Sequence, residues 1–81
     1  MEFPERLEEI SLNSLVENKR KIINGLDGKF VYIKRDEDIY YFFGKIEIDK
    51  KDSNKFYLEK RDGIKVEIYY RSLEGLLVVE E

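Results

Sequence analysis

The spacing of apolar positions changes once along the chain, at Gly28, and that change divides the predicted architecture. Before it, Leu12, Leu15, Val16, Ile22 and Ile23 fall on one stripe at helical spacing, interrupted only by Lys19. The pattern predicts helix over residues 1–26. Pro4 followed by Glu5 suits a first helical turn, where a missing N–H costs nothing and acidic charge meets the positive helix end. Ser14 and Glu17 have capping-box spacing, so the segment reads as one helix or as two with a break near residues 11–13. Asn24-Gly25 is a helix stop. A strand over residues 19–23 is the alternative reading. The apolar stripe is taken as core cover rather than as a partner-binding face.

From Gly28 onward the period is two. Over residues 29–35, Val31 and Ile33 share one face and Phe30 and Tyr32 the other, and Asp36-Glu37-Asp38 follows as an acidic turn. Residues 39–49, IYYFFGKIEID, form the longest β-forming run and would extend about 35 Å as a strand. Its central Gly44 predicts a fold-over there, so that one strand serves two sides of a small barrel. Tyr40, Phe42, Ile46 and Ile48 make one face of this run; Tyr41, Phe43, Lys45 and Glu47 make the other.

Residues 49–54 are a polar loop. A third strand over 55–61 turns Phe56 and Leu58 inward, and Asp62-Gly63 signals a two-residue hairpin. Residues 64–71 alternate again, with Ile64, Val66, Ile68 and Tyr70 inward. After a short turn at 72–74, possessing the length of one 3₁₀ turn, a fifth strand spans 75–80. Its Leu76, Leu77, Val78 and Val79 are apolar on both faces, which predicts burial or pairing with a neighbouring chain as an oligomer edge. The expected fold is a single domain over residues 1–81, with a helical segment over 1–26 and a β unit over 28–80. It is mainly β with an N-terminal helix: a small, strongly bent, five-stranded antiparallel barrel.

Composition narrows the chemistry. The chain has 81 residues, 41% charged and 14% aromatic, too rich in aromatic and β-branched side chains for a disordered segment. Its net charge of −3 argues against a generally cationic, DNA-coating protein but is compatible with a local basic face. There is no cysteine and no histidine. Disulfides and thiolate metal sites are therefore excluded, and the commonest general base and metal ligand are missing. Ser11, Ser14, Ser53 and Ser72 have no histidine to activate them. The clusters Asp36–Asp38 and Asp49/Asp52 lack the ligand count of a cation loop and read as solvated turns. The expectation is a non-enzyme with no cofactor and no metal. No apolar run approaches the roughly 20 residues of a membrane span and residues 1–10 are acidic, so a cytoplasmic protein with no membrane partner is expected.

A helix followed by a bent five-stranded barrel, with a very short connection between strands four and five, resembles the Sm-like family. Gly28-Lys29-Phe30-Val31-Tyr32-Ile33 looks like the opening strand of the first Sm motif. Gly44-Lys45-Ile46-Glu47-Ile48-Asp49 is similar to its glycine-led strand ending in a hydrophobic–Asp pair, one residue shorter than the usual spacing. Asn54 before Phe56 and Leu58 resembles the Asn that opens the next strand. Tyr70-Arg71-Ser72 looks like the hydrophobic–Arg–Gly of the second motif, with Ser72 in the glycine's place and Leu76 and Val78 following. Ser53 stands where the family often carries a base-stacking residue.

The resemblance, over residues 28–79, implies an SH3-like barrel that assembles as a homo-oligomeric ring and binds single-stranded, uridine-rich RNA. By carry-over, Asn54 contacts a base edge, Asp49 orients the loop, and Arg71 stacks on the base or pairs with phosphate. The residues alone offer a second surface, in which Tyr41, Lys45, Tyr57, Lys60, Arg61, Lys65 and Tyr69 interleave aromatics with cations as single-strand platforms do. Glu47, Glu59 and Glu67 lie on the same faces, positioned to pair with those cations. The alternative function is a protein–protein assembly module with the same barrel and no nucleic acid, since Tyr and Arg also favour protein interfaces.

Overall fold

A computed structural model describes residues 6–80. Strand β1 (Arg6–Glu9) is followed by helix α1 (Val16–Asn24), then β2 (Phe30–Arg35), β3 (Phe42–Ile48), β4 (Lys55–Glu59) and β5 (Lys65–Tyr69). A single 3₁₀ turn (Tyr70–Ser72) leads into β6 (Leu73–Glu80). The strands form one antiparallel sheet in the order β1-β6-β2-β3-β4-β5. It has six strands rather than five and it is open: β1 and β5 are its edges, with no ladder between them among the described residues.

The N-terminal segment departs most from expectation. The predicted helix start at Pro4-Glu5 lies outside the described residues. Arg6–Glu9 is strand, and among the described residues before Gly28 the α-helix spans Val16–Asn24. RLEE has no strand alternation of its own and all four residues are exposed, so the pairing comes from β6, whose outer ladder recruits it. That tertiary demand overrides weak local propensity. The capping box does not form: Leu15 is the N-cap, no side chain caps the helix, and Asn13 Oδ1 instead accepts from Leu15 N–H at 2.9 Å. Glu17 in the first turn and Lys21 in the last suit the helix dipole. The strand alternative for residues 19–23 is overturned, because Lys19 and Ile23 are buried one turn apart on the helix face toward the sheet. The helix stops at Asn24-Gly25 as expected.

Residues 39–41 lie outside β3, and Ile39 and Tyr40 are 81% and 80% exposed rather than part of a core face. Gly44 lies within an unbroken seven-residue strand. The partners change beside it: residues 42–45 pair with β2, whereas 45–48 pair with β4. What demands a glycine is proximity, since a Cβ there would meet Leu58 Cγ at 2.5 Å and Glu59 O at 2.8 Å. Gly63 has φ +86° and closes the β4–β5 hairpin, with Gly63 N–H on Lys60 O and Lys60 N–H on Ile64 O, both 2.9 Å. The loop is thus three residues long, a turn followed by a left-handed glycine, rather than the two-residue form. Ile64 accordingly points to solvent.

The core consists of Ile23, Val31, Ile33, Ile46, Phe56, Leu58, Ile68, Tyr70, Leu73 and Leu76. Alternation placed nearly all of these correctly. Helix α1 closes the core by packing on β3 and on the 3₁₀ turn. Strand β6 is not an edge. Leu77, Val78 and Val79 face β1 across one ladder, and Leu76, Leu77 and Val78 face β2 across the other, so the predicted oligomer edge is occupied within the chain.

Candidate functional site

Three chain segments converge at one end of the sheet. The loop between β3 and β4 is held by its own acidic side chains. Asp49 Oδ1 accepts from Lys51 N–H at 2.8 Å and Asp52 N–H at 3.2 Å, and Asp52 Oδ1 accepts from Asn54 N–H at 2.8 Å. These are Asx turns, in which a carboxylate replaces the missing backbone partner. The Lys51 N–H, with help from Asp52 N–H, the Tyr57 hydroxyl and the Lys55 charge, holds the Asp49 carboxyl below the usual carboxylate range.

The loop is tied to its surroundings at two points. Arg20 Nε on α1 donates to Ser53 O at 2.7 Å, and Tyr70 N–H in the 3₁₀ turn donates to Asn54 O at 3.1 Å. The Arg20 guanidinium also lies 5.5 Å over the Tyr70 ring. Burial pushes the Tyr70 hydroxyl above its ordinary pKa, an effect opposed by Arg20 and reinforced by Asp49. A surface hollow of about 360 Å³ results, lined by Val16, Asn54, Tyr69 and Arg71. Asn54 and Arg71, 17 positions apart in sequence, therefore share one concavity. Asp49 is not among the lining residues; its contacts are with the backbone of the loop that carries Asn54. Sequence reasoning missed Val16 and the clamp from Arg20. Alternation gives Tyr69 as a surface aromatic, and the fold makes it a wall of this hollow.

The outward face of the sheet carries the second predicted surface, and it divides in two. Across β3, β4 and β5 it is a lattice of opposite charges: Lys65–Glu47 at 2.9 Å, Lys55–Glu67 at 2.8 Å and Lys45–Glu59 at 3.9 Å. Tyr57 stands among them, 5.5 Å from the Lys55 ammonium, which also lies 6.0 Å from the Tyr69 ring. Glu67 drives the Lys55 ammonium above its ordinary pKa, and Glu47 does the same for Lys65. Lys45 and Lys65 are thus engaged by carboxylates rather than presented as bare cations. Tyr41 packs its hydroxyl end against Gly75.

The other half of this face is aromatic. Phe30 and Phe43 stack in parallel, 5.5 Å apart at 1° between planes, and Tyr32 tilts against Phe43 at 5.1 Å. The Arg61 guanidinium lies 5.0 Å over Phe43. Lys60 and Arg61 have no carboxylate within 4 Å among the described residues. Alternation alone places Phe30 and Tyr32 opposite the buried Val31 and Ile33, whereas the ring of Phe43 and the Arg61 guanidinium come to them only through the fold.

Among the described residues no helix is long and apolar enough to cross a membrane, and no group of three carboxylates could hold a metal ion. Asp38 is already engaged, receiving Arg35 Nε at 2.9 Å, Arg35 Nη2 at 3.1 Å and Arg35 N–H at 2.9 Å. No family model, curated protein or solved structure matches the chain.

Proposed function

We propose that the chain is a non-catalytic, Sm-like binding module for single-stranded, uridine-rich RNA, and that the ligand enters the hollow between the 49–54 loop and the 3₁₀ turn. The observation that carries this reading is the meeting of Asn54, Tyr69 and Arg71 in one concavity. An amide supplies donors and an acceptor to a base edge, a guanidinium pairs with phosphate or stacks, and an aromatic ring offers a flat wall. Tyr69 takes the stacking role for which Ser53 has no ring. Support for the Sm-like arrangement comes from the helix that precedes the β unit and the 3₁₀ turn that alone separates β5 from β6. Binding in this hollow is a property of one chain and does not require a ring. Any homo-oligomer formed through β6 would first have to displace β1.

Fluorescence anisotropy with a labelled oligouridine tests the proposal. Asn54→Ala and Arg71→Ala are each expected to weaken binding about tenfold, the usual effect of losing one hydrogen bond to a charged or base-edge group. Arg71→Ala is also expected to flatten the dependence on log salt by about 0.7 if it meets a phosphate. Unchanged affinity in both folded variants refutes the proposal. A second reading, a protein-assembly module, draws on the exposed Ile39 and Tyr40 at a loop tip. In that case oligouridine does not bind and sedimentation shows association instead.

A further inference from the structure

We infer that the sheet carries a second nucleotide contact: Phe30, Phe43 and Arg61 form a stacking site for an unpaired base of the same single strand, with Lys60 beside it for a phosphate. The inference rests on the proposed RNA reading for its ligand class and concerns different residues.

Sheet alternation sends Val31 and Gly44 inward, and with them Phe30 and Phe43 must point out. Phe30 is exposed and Phe43 half-buried beside it, and neither belongs to the core cluster. Phe30 remains 44% exposed although apolar neighbours lie within reach. The two rings are parallel within 1°, so they present one orientation to a flat ligand. Arg61 is brought to them by the β4–β5 hairpin, whose Gly63 takes the left-handed turn. A guanidinium over a ring is a second flat, cationic plane of the kind that stacks on bases. The shallow cleft here, about 230 Å³, is lined by Phe30, Phe43, Lys45, Glu59, Lys60 and Arg61.

Charge decides between occupants. Elsewhere on this sheet face each lysine is matched by a glutamate, so a partner finds little net charge there. At this corner Lys45 and Glu59 answer each other at 3.9 Å, leaving Lys60 and Arg61 as cations with no carboxylate within 4 Å among the described residues. Stacked rings bordered by unmatched cations complement a polyanion whose bases are flat and apolar. They complement a neutral protein surface less well.

The test compares uridine monophosphate with a ten-nucleotide oligouridine on Phe30→Ala, Arg61→Ala, Asn54→Ala and the unaltered chain. Phe30 is half exposed, so its removal spares the fold; circular dichroism checks this. Phe30→Ala and Arg61→Ala are expected to weaken the decamer about tenfold while leaving the mononucleotide unchanged. Crosslinking of a 5-iodouridine decamer is expected to mark Phe30 or Phe43. If Asn54→Ala weakens the decamer and the two sheet variants do not, the hollow binds RNA and the stacking site is wrong. If the sheet variants weaken it and Asn54→Ala does not, the stacking site stands and the hollow is not the site. No binding to either ligand overturns both. Loss of self-association in Phe30→Ala, with decamer affinity unchanged, makes the corner a protein interface and also overturns the inference.

Discussion

Gly44 and Gly75 allow a close test of what the packing will tolerate. A Cβ on Gly44 would lie 2.5 Å from Leu58 Cγ, 2.8 Å from Glu59 O and 3.0 Å from Leu58 Cδ2. None of these can retreat. Leu58 is fully buried, and Glu59 is backbone in the β3–β4 ladder, opposite Lys45. A Cβ on Gly75 meets an overlap at least as severe, but with the Tyr41 hydroxyl, the far end of a side chain that is 37% exposed and can swing into water. Both glycines have negative φ, so neither needs glycine for its backbone conformation.

Overpacking a dense core costs about 1–3 kcal/mol, and an unyielding carbonyl puts Gly44→Ala at the upper end. Loss of unfolded-state freedom returns about 0.5 kcal/mol in either variant. The net expectation is a loss of about 2.5 kcal/mol for Gly44→Ala and no loss, or a slight gain, for Gly75→Ala. At about 4–8 °C per kcal/mol for a domain of this size, Tm falls by roughly 10–20 °C in the first variant and stays within a few degrees in the second. Urea titration followed by circular dichroism gives both free energies, and an unchanged m-value shows that the compactness of the two states is preserved. If the two variants lose stability equally, or Gly44→Ala loses less than about 1 kcal/mol, the distinction between rigid and yielding neighbours is wrong.

Two further outcomes concern the helix and the ion pairs. Leu15 is an N-cap with β-region dihedrals and 62% exposure, so Leu15→Asp is expected to add about 1 kcal/mol by accepting from the free helix N–H groups; an unchanged urea midpoint counts against this. Arg35 holds the Asp38 carboxyl below its ordinary pKa through its side-chain hydrogen bonds, and backbone N–H groups do the same for Asp49. A carboxyl with a depressed folded pKa contributes stability that is full above its unfolded pKa, about 4, and is lost as pH falls through the folded value. With no histidine in the chain, the urea midpoint is expected to be flat from pH 5 to 8 and to fall below pH 4, and Asp38→Asn should reduce that acid slope. An acid slope identical in Asp38→Asn shows that the pair carries none of it.

Where side-chain periodicity carries the information, the fold was legible. Val31, Ile33, Ile46, Phe56, Leu58 and Ile68 are buried because alternation with a period of two leaves them no other face. Pairing across distance was less legible. Nothing in RLEE announces a strand, because its partner, Leu77–Glu80, lies at the far end of the chain and supplies the reason for it. Gly44 is legible as a position that needs glycine, but the neighbour that leaves no room for a Cβ, Leu58, is brought there by the β3–β4 ladder and has no local signature. Residues 39–41 have strand-forming side chains, yet the β2–β3 ladder ends at Ile33 opposite Phe42, although β2 runs on to Arg35 in its ladder with β6.

The candidate site shows the same division at the level of chemistry. Asn54 and Arg71 were legible as residue types at loop positions. Their proximity begins with the β4–β5 ladder, which sets Lys55 opposite Tyr69, and is completed by Tyr70 N–H to Asn54 O and by Arg20 reaching from the helix to Ser53. Neither bond has a sequence signature, since a backbone donor is present at almost every residue. The aromatic corner is the reverse case. Phe30 and Phe43 were assigned to their correct face, but an outward phenylalanine acquires meaning only beside another one and a cation, and register alone brings Phe43 opposite Tyr32 and beside Phe30. A single outward aromatic is ordinary on a protein surface. Two in parallel, one of them under an arginine, make a flat surface with a cation at its border, and no stretch of the sequence read alone contains all three residues.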